Sequence, residues 1–302
     1  MTLQQVFDFL AVVQHGSLHA AARASGQTQP ALTRSLRRLE ADLGAPLFVR
    51  HARGMQPSPA GQRFLAHARR LASEAERARD AVAQAQGLSR GRVAYGISAA
   101  PSLLLAPAAI GRFRKQFDGV ALHSRSGLFH NLAPALRDGQ LDFMICPPPA
   151  DPDPELSGQV LMRSQMVMLA RRGHPLAEAR SLASLRGAEF TTAAPAGLPG
   201  GGVYTAFAQA GLGPARISLH TDGLIDTIAF VAGSDALALM PEALWRSGLL
   251  QGRLVVLPLA DPLPSYDVVL FRRRDTPATP AAQALATQFE REAAYLAREQ
   301  MP

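Results

Sequence analysis

A chain of 302 residues, 47% hydrophobic and 18% charged, has the makeup of an ordinary soluble globular protein and is too long for one average domain. Its net charge of +7 is unevenly spread: residues 1–92 hold 13 Arg against 6 acidic residues, whereas residues 93–302 hold 18 of each sign, the signature of a polyanion-binding module joined to a neutral one. The single Cys146 excludes an intrachain disulfide; with no basic leader and no bilayer-length apolar run, the cytoplasm is the expected compartment.

In residues 3–15, Leu3, Val6, Phe7, Leu10 and Val13 share one helical face, and Gly16-Ser17 ends the helix. Leu18 to Ser25 predicts a second, short helix, whose alanines (Ala20, Ala21, Ala22, Ala24) favour helix and let a neighbour approach closely. Gly26 breaks it, Thr28 caps a third helix, and Pro30 falls in the first turn, where its missing N–H does no harm. Leu32, Leu36, Leu39 and Leu43 form the apolar stripe of that helix. The opposite face shows Gln29, Thr33, Arg34 and Arg37, with Arg38 at its margin. Arg forks onto guanine, Gln onto adenine, and a Thr methyl packs on the thymine methyl, so this helix suits major-groove reading. After Gly44 and Pro46, Leu47 to Val49 and Met55 to Pro57 predict the two strands of a wing. Arg50 and Arg53 lie near its tip, suited to phosphates or a minor groove.

Ser58-Pro59 opens a helix that runs to Gly87, roughly 40 Å at 1.5 Å per residue. Phe64, Ala68, Leu71, Ala75, Ala78 and Val82 alternate spacings of four and three, a heptad seam that predicts dimerisation, with packing against the chain's own carboxy-terminal domain as the alternative cover. From Arg92 the pattern changes to alternating strands and helices, which predicts open α/β sheets. RVAYGI runs into a helix expected near Pro101, and QVLMRSQMVMLAR reads as more than one strand. Cys146, Met162, Met166 and Met168 sit in or beside strands and are expected in the core. No HExxH, CxxC, GxSxG or phosphate-loop pattern occurs, so neither an enzyme nor a metal or other cofactor is expected.

FLAVVQHGSLHAAA, TQPALTRSLRRLEADLGAPLFVR and SPAG, within residues 3–61, resemble the winged helix-turn-helix of the LysR-type transcriptional regulators, and the length and two-part layout of the rest fit that family. The turn SGQTQ departs from its pattern: Ser25 and Gln27 stand where the family places apolar residues, which implies weaker packing beneath the turn. The resemblance implies an α/β chain in three parts. A winged helix-turn-helix (1–58) and a linker and dimerisation helix with its hinge (59–91) precede an effector-binding domain (92–302) like a type 2 periplasmic binding protein. Its lobe I would be about 92–162 plus 268–302, and lobe II about 163–267. The chain would form a homodimer and then a dimer of dimers. It would bind promoter DNA through Thr28, Gln29, Pro30, Thr33, Arg34, Arg37, Arg38, Arg50 and Arg53, with RNA polymerase as a further partner and no membrane. A solute-binding protein without a DNA role is the alternative for residues 93–302, and the basic amino-terminal third argues against it.

Ligands of open α/β sheets bind beyond the carboxyl ends of strands, where helix N-termini present free N–H groups. Two stretches offer this: Ser98-Ala99-Ala100 with Pro101 and Ser102 starting a helix, and Gly200-Gly201-Gly202 before Val203. An organic anion bridging the lobes, the inducer, suits both. Phe129 is expected to face the same cleft and stack on an aromatic ring, His130 to be a capping or surface histidine, and Asp222 to be an N-cap. LRDGQLDF and RRRDTPATPAAQ resemble the branch that includes toluenesulfonate regulators, which implies an aromatic sulfonate or carboxylate.

Overall fold

The computed structural model describes residues 1–51, 54–248, 250 and 252–299, with Arg50 and Glu299 through their backbone alone. The chain divides into two compact units, residues 1–88 with 138–140, and residues 89–137 with 141–302.

In the first unit, α1 (Leu3–His15), α2 (Leu18–Ala24) and α3 (Gln29–Leu43) are followed by the antiparallel hairpin of β1 (Phe48–His51) and β2 (Gly54–Pro57), and then by α4 (Pro59–Ala85). Local chemistry sets most of these boundaries. Thr2 and Gln5 form a reciprocal capping box on α1, and Ser17 caps α2 through the Ala20 N–H. Gly16 and Gly44 end α1 and α3 in the left-handed conformation. Phe9 lies at the centre of the core, its ring 5.1 Å from that of Phe48 and 5.0 Å from that of Phe64. The start of α4 is locked to the hairpin. Ser58 Oγ donates to the Pro46 carbonyl and accepts from the Gly61 N–H, and a Cβ on Gly61 would lie 2.0 Å from the Leu47 carbonyl oxygen. Only glycine fits there.

Two expectations bear on this unit. Gln27 of the polar turn is bonded to buried Asp8, whose carboxylate accepts from Gln27 Nε2 at 2.7 Å, from Gln4 Nε2 at 2.9 Å and from Ser35 Oγ. One carboxylate thus ties α1, the turn and α3 together with three charge-assisted bonds. The expectation of one continuous heptad seam is corrected: the seam divides. Phe64 and Ala68 pack into the core of this unit, Ala68 at 0% exposure, since the first turns of α4 lie against α1. Beyond them the seam is open, with Leu71 38% and Val82 61% exposed, Ala78 exposed and Ala75 half-buried.

The second unit begins with β3 (Arg92–Ile97), α5 (Ala99–Leu104), α6 (Ala106–Arg114), β4 (Ala121–Ser126), α7 (Phe129–Arg137) and β5 (Phe143–Cys146). It continues with β6 (Leu156–Arg171), β7 (Glu189–Thr192), α8 (Gly202–Gln209), β8 (Arg216–His220), α9 (Leu224–Gly233) and β9 (Ala236–Pro241). It ends with α10 (Glu242–Arg246), β10 (Leu254–Val256), β11 (Ser265–Arg273) and α11 (Pro280–Glu299). The strands follow the order β4-β3-β5-β11-β6-β9-β7-β8, with β10 also on β6. Parallel pairing joins β3 to β4 and β5, and β7 to β8 and β9, whereas β6 and β11 run antiparallel to their neighbours.

The stretch read as several strands is one, β6, 16 residues long. It pairs with β11 as far as Gln165 and with β9 from Met166, so a single strand serves both lobes. The crossings therefore fall at 165/166 and ahead of Ser265, three residues from the expected positions. Lobe I buries both faces of its sheet: Val93, Tyr95 and Ile97 pack with Phe113 and Phe289 on one side, and Ala94, Met144 and Cys146 with Leu132 on the other. That explains why its parallel strands are nearly continuous apolar runs. Among the described residues no helix is long and apolar enough to cross a membrane.

Candidate DNA-reading face and ligand cleft

On α3, Gln29, Pro30, Arg34, Arg37 and Arg38 are exposed, and Thr33 is half-buried. Thr28 Oγ1 accepts the Ala31 N–H, and Thr33 Oγ1 donates to the Gln29 carbonyl at 2.8 Å, so the unengaged part of Thr33 is its methyl. The nearby acidic groups are committed elsewhere: Asp8 is buried in its network, Glu40 accepts the Leu47 N–H, and Asp42 pairs with the amino terminus. Arg34, Arg37 and Arg38 consequently have no ion-pair partner among the described residues, and the three charges stand on one helix surface. Such a surface attracts phosphate and can fork onto base edges. Arg53 and the side chain of Arg50 lie outside the described residues.

The second unit holds a cavity of about 610 Å³ between its lobes. It opens beyond the carboxyl ends of β3 and β7, where helices of parallel α/β units start. Ser98, directly after β3, takes the N-cap position of α5 with no side-chain capping bond. Its Oγ is buried without a partner, and so is Thr191 Oγ1 on β7, although both residues line the cavity. Two other wall hydroxyls are occupied: Thr192 Oγ1 shares its proton between the Gly200 and Ala194 carbonyls, and Thr227 Oγ1 donates to that of Gly223. An unpaired buried hydroxyl costs about 1–3 kcal/mol. Two of them, one from each lobe, belong to residues of the cavity wall.

Several expected cleft residues stand elsewhere. Ser98, Ala99 and Ser102 line the cavity, but α5 starts two residues before Pro101, so Ala100 and Pro101 are turned into the protein. Gly200 and Gly202 line it too; Gly201 does not, being buried where a Cβ would come within 2.4 Å of the Pro195 carbonyl oxygen. Gly200 has φ +100° and lets Leu128 of lobe I approach, since a Cβ would lie 2.6 Å from Leu128 Cδ1. Phe129 faces away from the cleft: it is 8% exposed and packs edge-to-face on Phe271 in the lobe I core. His130 neither caps nor lines the cleft; its Nδ1 is buried without a partner. The N-cap of α9 is Gly223, and Asp222 instead lies on the wall, accepting from Asn131 Nδ2 across the lobes at 3.0 Å.

Met166 and Tyr266, at the two strand crossings, also line the cavity, whereas Met168 is core. Burial pushes the Tyr266 phenol up to about 12, keeping it neutral. Cys146 is buried beneath lobe I, and burial raises its thiol well above the ordinary range. Thr191 was legible in principle, as the last turn-ward residues of the strand EFTT precede the loop AAPAGLP. The place of Met166 and Tyr266 on the wall was not, because strand pairing alone brings them to the cleft.

Comparison with known proteins bears on both units. Residues 3–62 match the family model described as bacterial regulatory helix-turn-helix protein, lysR family, and residues 86–294 match the LysR substrate binding domain. Among curated relatives, the HTH-type transcriptional regulator GalR of Pseudomonas putida is 33% identical over 284 residues, 93% of this chain and 71% of that protein. The SDS degradation transcriptional activation protein of a Pseudomonas strain is 31% identical over 296 residues, 94% of each chain. Full-length CbnR, solved in complex with its target DNA, superposes with a TM-score of 0.72 at 21% identity, covering 97% of this chain and 100% of that one.

Proposed function

The chain belongs to the LysR-type transcriptional regulators, DNA-binding proteins with an effector-binding domain and not enzymes, and on that premise we propose that the outward face of α3 reads promoter DNA while the inter-lobe cleft senses a small organic anion. The observation that carries the sensing half is the pair of buried, partnerless hydroxyls, Ser98 and Thr191, on opposite walls. Anion oxygens accepting from both would join the lobes, so the bound state favours one inter-lobe arrangement over others. The aromatic sulfonate or carboxylate suggested by the sequence is one such anion.

On the DNA side, Arg34, Arg37 and Arg38 would neutralise phosphates and fork onto guanine, with Gln29 and Thr33 setting sequence preference and Thr28 and Pro30 holding the helix start. Arg50 and Arg53 would extend the footprint from the wing. The open seam of Leu71, Ala75, Ala78 and Val82 would join two copies, presenting two reading helices to one site, with a dimer of dimers as the larger assembly. Contact with RNA polymerase, in the cytoplasm, would complete the regulatory act.

A mobility-shift series tests the reading face: Gln29→Ala should relax preference at one or two base pairs, by about 1–3 kcal/mol. Unchanged affinity for both operator and random DNA would remove α3 from the interface. A thermal-shift screen against organic acids tests the cleft, since a ligand of the native state raises Tm. The compound that works should lose its effect in Ser98→Ala.

A further inference from the structure

Taking the cleft as the effector site for an organic anion, we infer that its ligand is a single-headed aliphatic monoanion, an alkyl carboxylate, sulfate or sulfonate of medium chain length, in place of the aromatic acid that the sequence suggests, and not a diacid. Charge provides the first argument. The described wall contains no Lys, Arg or His, and its two charged residues are Asp222 and Asp267. Asp222 is held at the boundary between the lobes by Asn131 Nδ2. One anionic head can accept from hydroxyls of this wall, among which those of Ser98 and Thr191 are buried and unpaired. A second negative charge would enter a site without a cation and with two carboxylates, where burial of an unpaired charge is costly.

The shape and chemistry of the remaining wall provide the second. Six leucines, two methionines and six prolines line it, and Tyr266 is its one aromatic residue. With Phe129 in the core, no pair of rings stands ready to sandwich an aromatic ligand. Leu128 of lobe I and Leu198 of lobe II instead offer CH surface on the wall to an alkyl chain, and Met166 can adapt to its length. A cavity of about 610 Å³ also exceeds what a compact acid fills, which would leave this apolar surface wet.

The test is calorimetric titration of the full chain with hexanoate, octanoate, decanoate and dodecanoate, with decyl sulfate, with adipate, suberate and sebacate, and with benzoate and toluenesulfonate, all below micellar concentration. Binding should tighten about fourfold per methylene, the equivalent of about 0.8 kcal/mol, until the cleft is full. Each diacid should bind at least about tenfold more weakly than the monoacid of equal length. Leu198→Asp should flatten the chain-length dependence, and Ser98→Ala should weaken all members alike. A flat series, tighter binding of benzoate or toluenesulfonate than of octanoate, no binding of any member, or a slope that survives Leu198→Asp would overturn the inference. The failure of the underlying cleft reading looks different: Ser98→Ala and Thr191→Val would then leave every measured affinity unchanged. Weakening of an aromatic acid by those same variants would keep the cleft and sink only the aliphatic class.

Discussion

The reading helix and the cleft solve opposite problems. Around α3, among the described residues, the buried polar side chains have partners, Asp8 alone taking three donors, and the unpaired charge stands outside, on Arg34, Arg37 and Arg38. In the cleft the hydroxyls of Thr192 and Thr227 are tied to backbone while those of Ser98 and Thr191 are left buried and unsatisfied. A surface meant for a polyanion needs a rigid, internally complete support, because three arginines on one helix repel each other and the scaffold must hold them. A site meant for a small molecule keeps its unmet hydrogen bonds buried, where a ligand gains most by meeting them.

That contrast can be broken in four ways. The largest effect is expected along α4, where one seam contains both kinds of position. Ala68→Glu should cost about 3–5 kcal/mol in urea denaturation, since it buries an unpaired carboxylate at 0% exposure. Val82→Glu, at 61% exposure, should leave the fold within about 0.5 kcal/mol and shift sedimentation toward monomer. Equal destabilisation by both would mean that the seam is uniformly internal. Next, Asp8→Ala should cost about 3 kcal/mol, because Gln4, Gln27 and Ser35 all lose their acceptor. Combining Asp8→Leu with Gln27→Leu should recover part of that loss by replacing the network with apolar packing; additive losses would argue that the polar turn has no coupling to Asp8.

Smaller, and opposite in sign, is the cleft counterpart: Ser98→Ala should raise the stability of the ligand-free chain by about 1 kcal/mol while making it insensitive to effector. A destabilised, ligand-free Ser98→Ala would show that the hydroxyl does have a partner in solution. The smallest effect is a null. Cys146, with its thiol raised by burial, should resist iodoacetamide at neutral pH for as long as the native state lasts and react at once in denaturant. Rapid native labelling would mean that the lobe I core opens locally.

The amino-terminal unit was largely legible because its signals are local. Alanines, caps and a leucine period lie within a few residues of the elements that they specify, and Thr28, Pro30 and Gly44 act on the helix in which or beside which they stand. Even there, the fate of Gln27 depended on a carboxylate 19 positions away, which no turn rule contains. In the second unit the alternation of strands and helices could be read, but the wall of the cleft could not. Phe129 and Ser98 both follow strand ends, yet one ring is drawn against Phe271 and the other residue lines the cavity with its hydroxyl buried and unpaired.

By itself, the amino-acid sequence determined the helix periods, the caps, the concentration of positive charge on one helix and the family that follows from these. Tertiary structure alone decided that β6 would serve both lobes, that Phe64 and Ala68 would be spent on a core, and that Ser98 and Thr191 would line one space whose described wall contains no cation. The reason is range. Propensity and capping act over one helical turn, whereas a cleft is made by strand ends nearly a hundred residues apart, brought together by the burial of side chains that never touch the ligand.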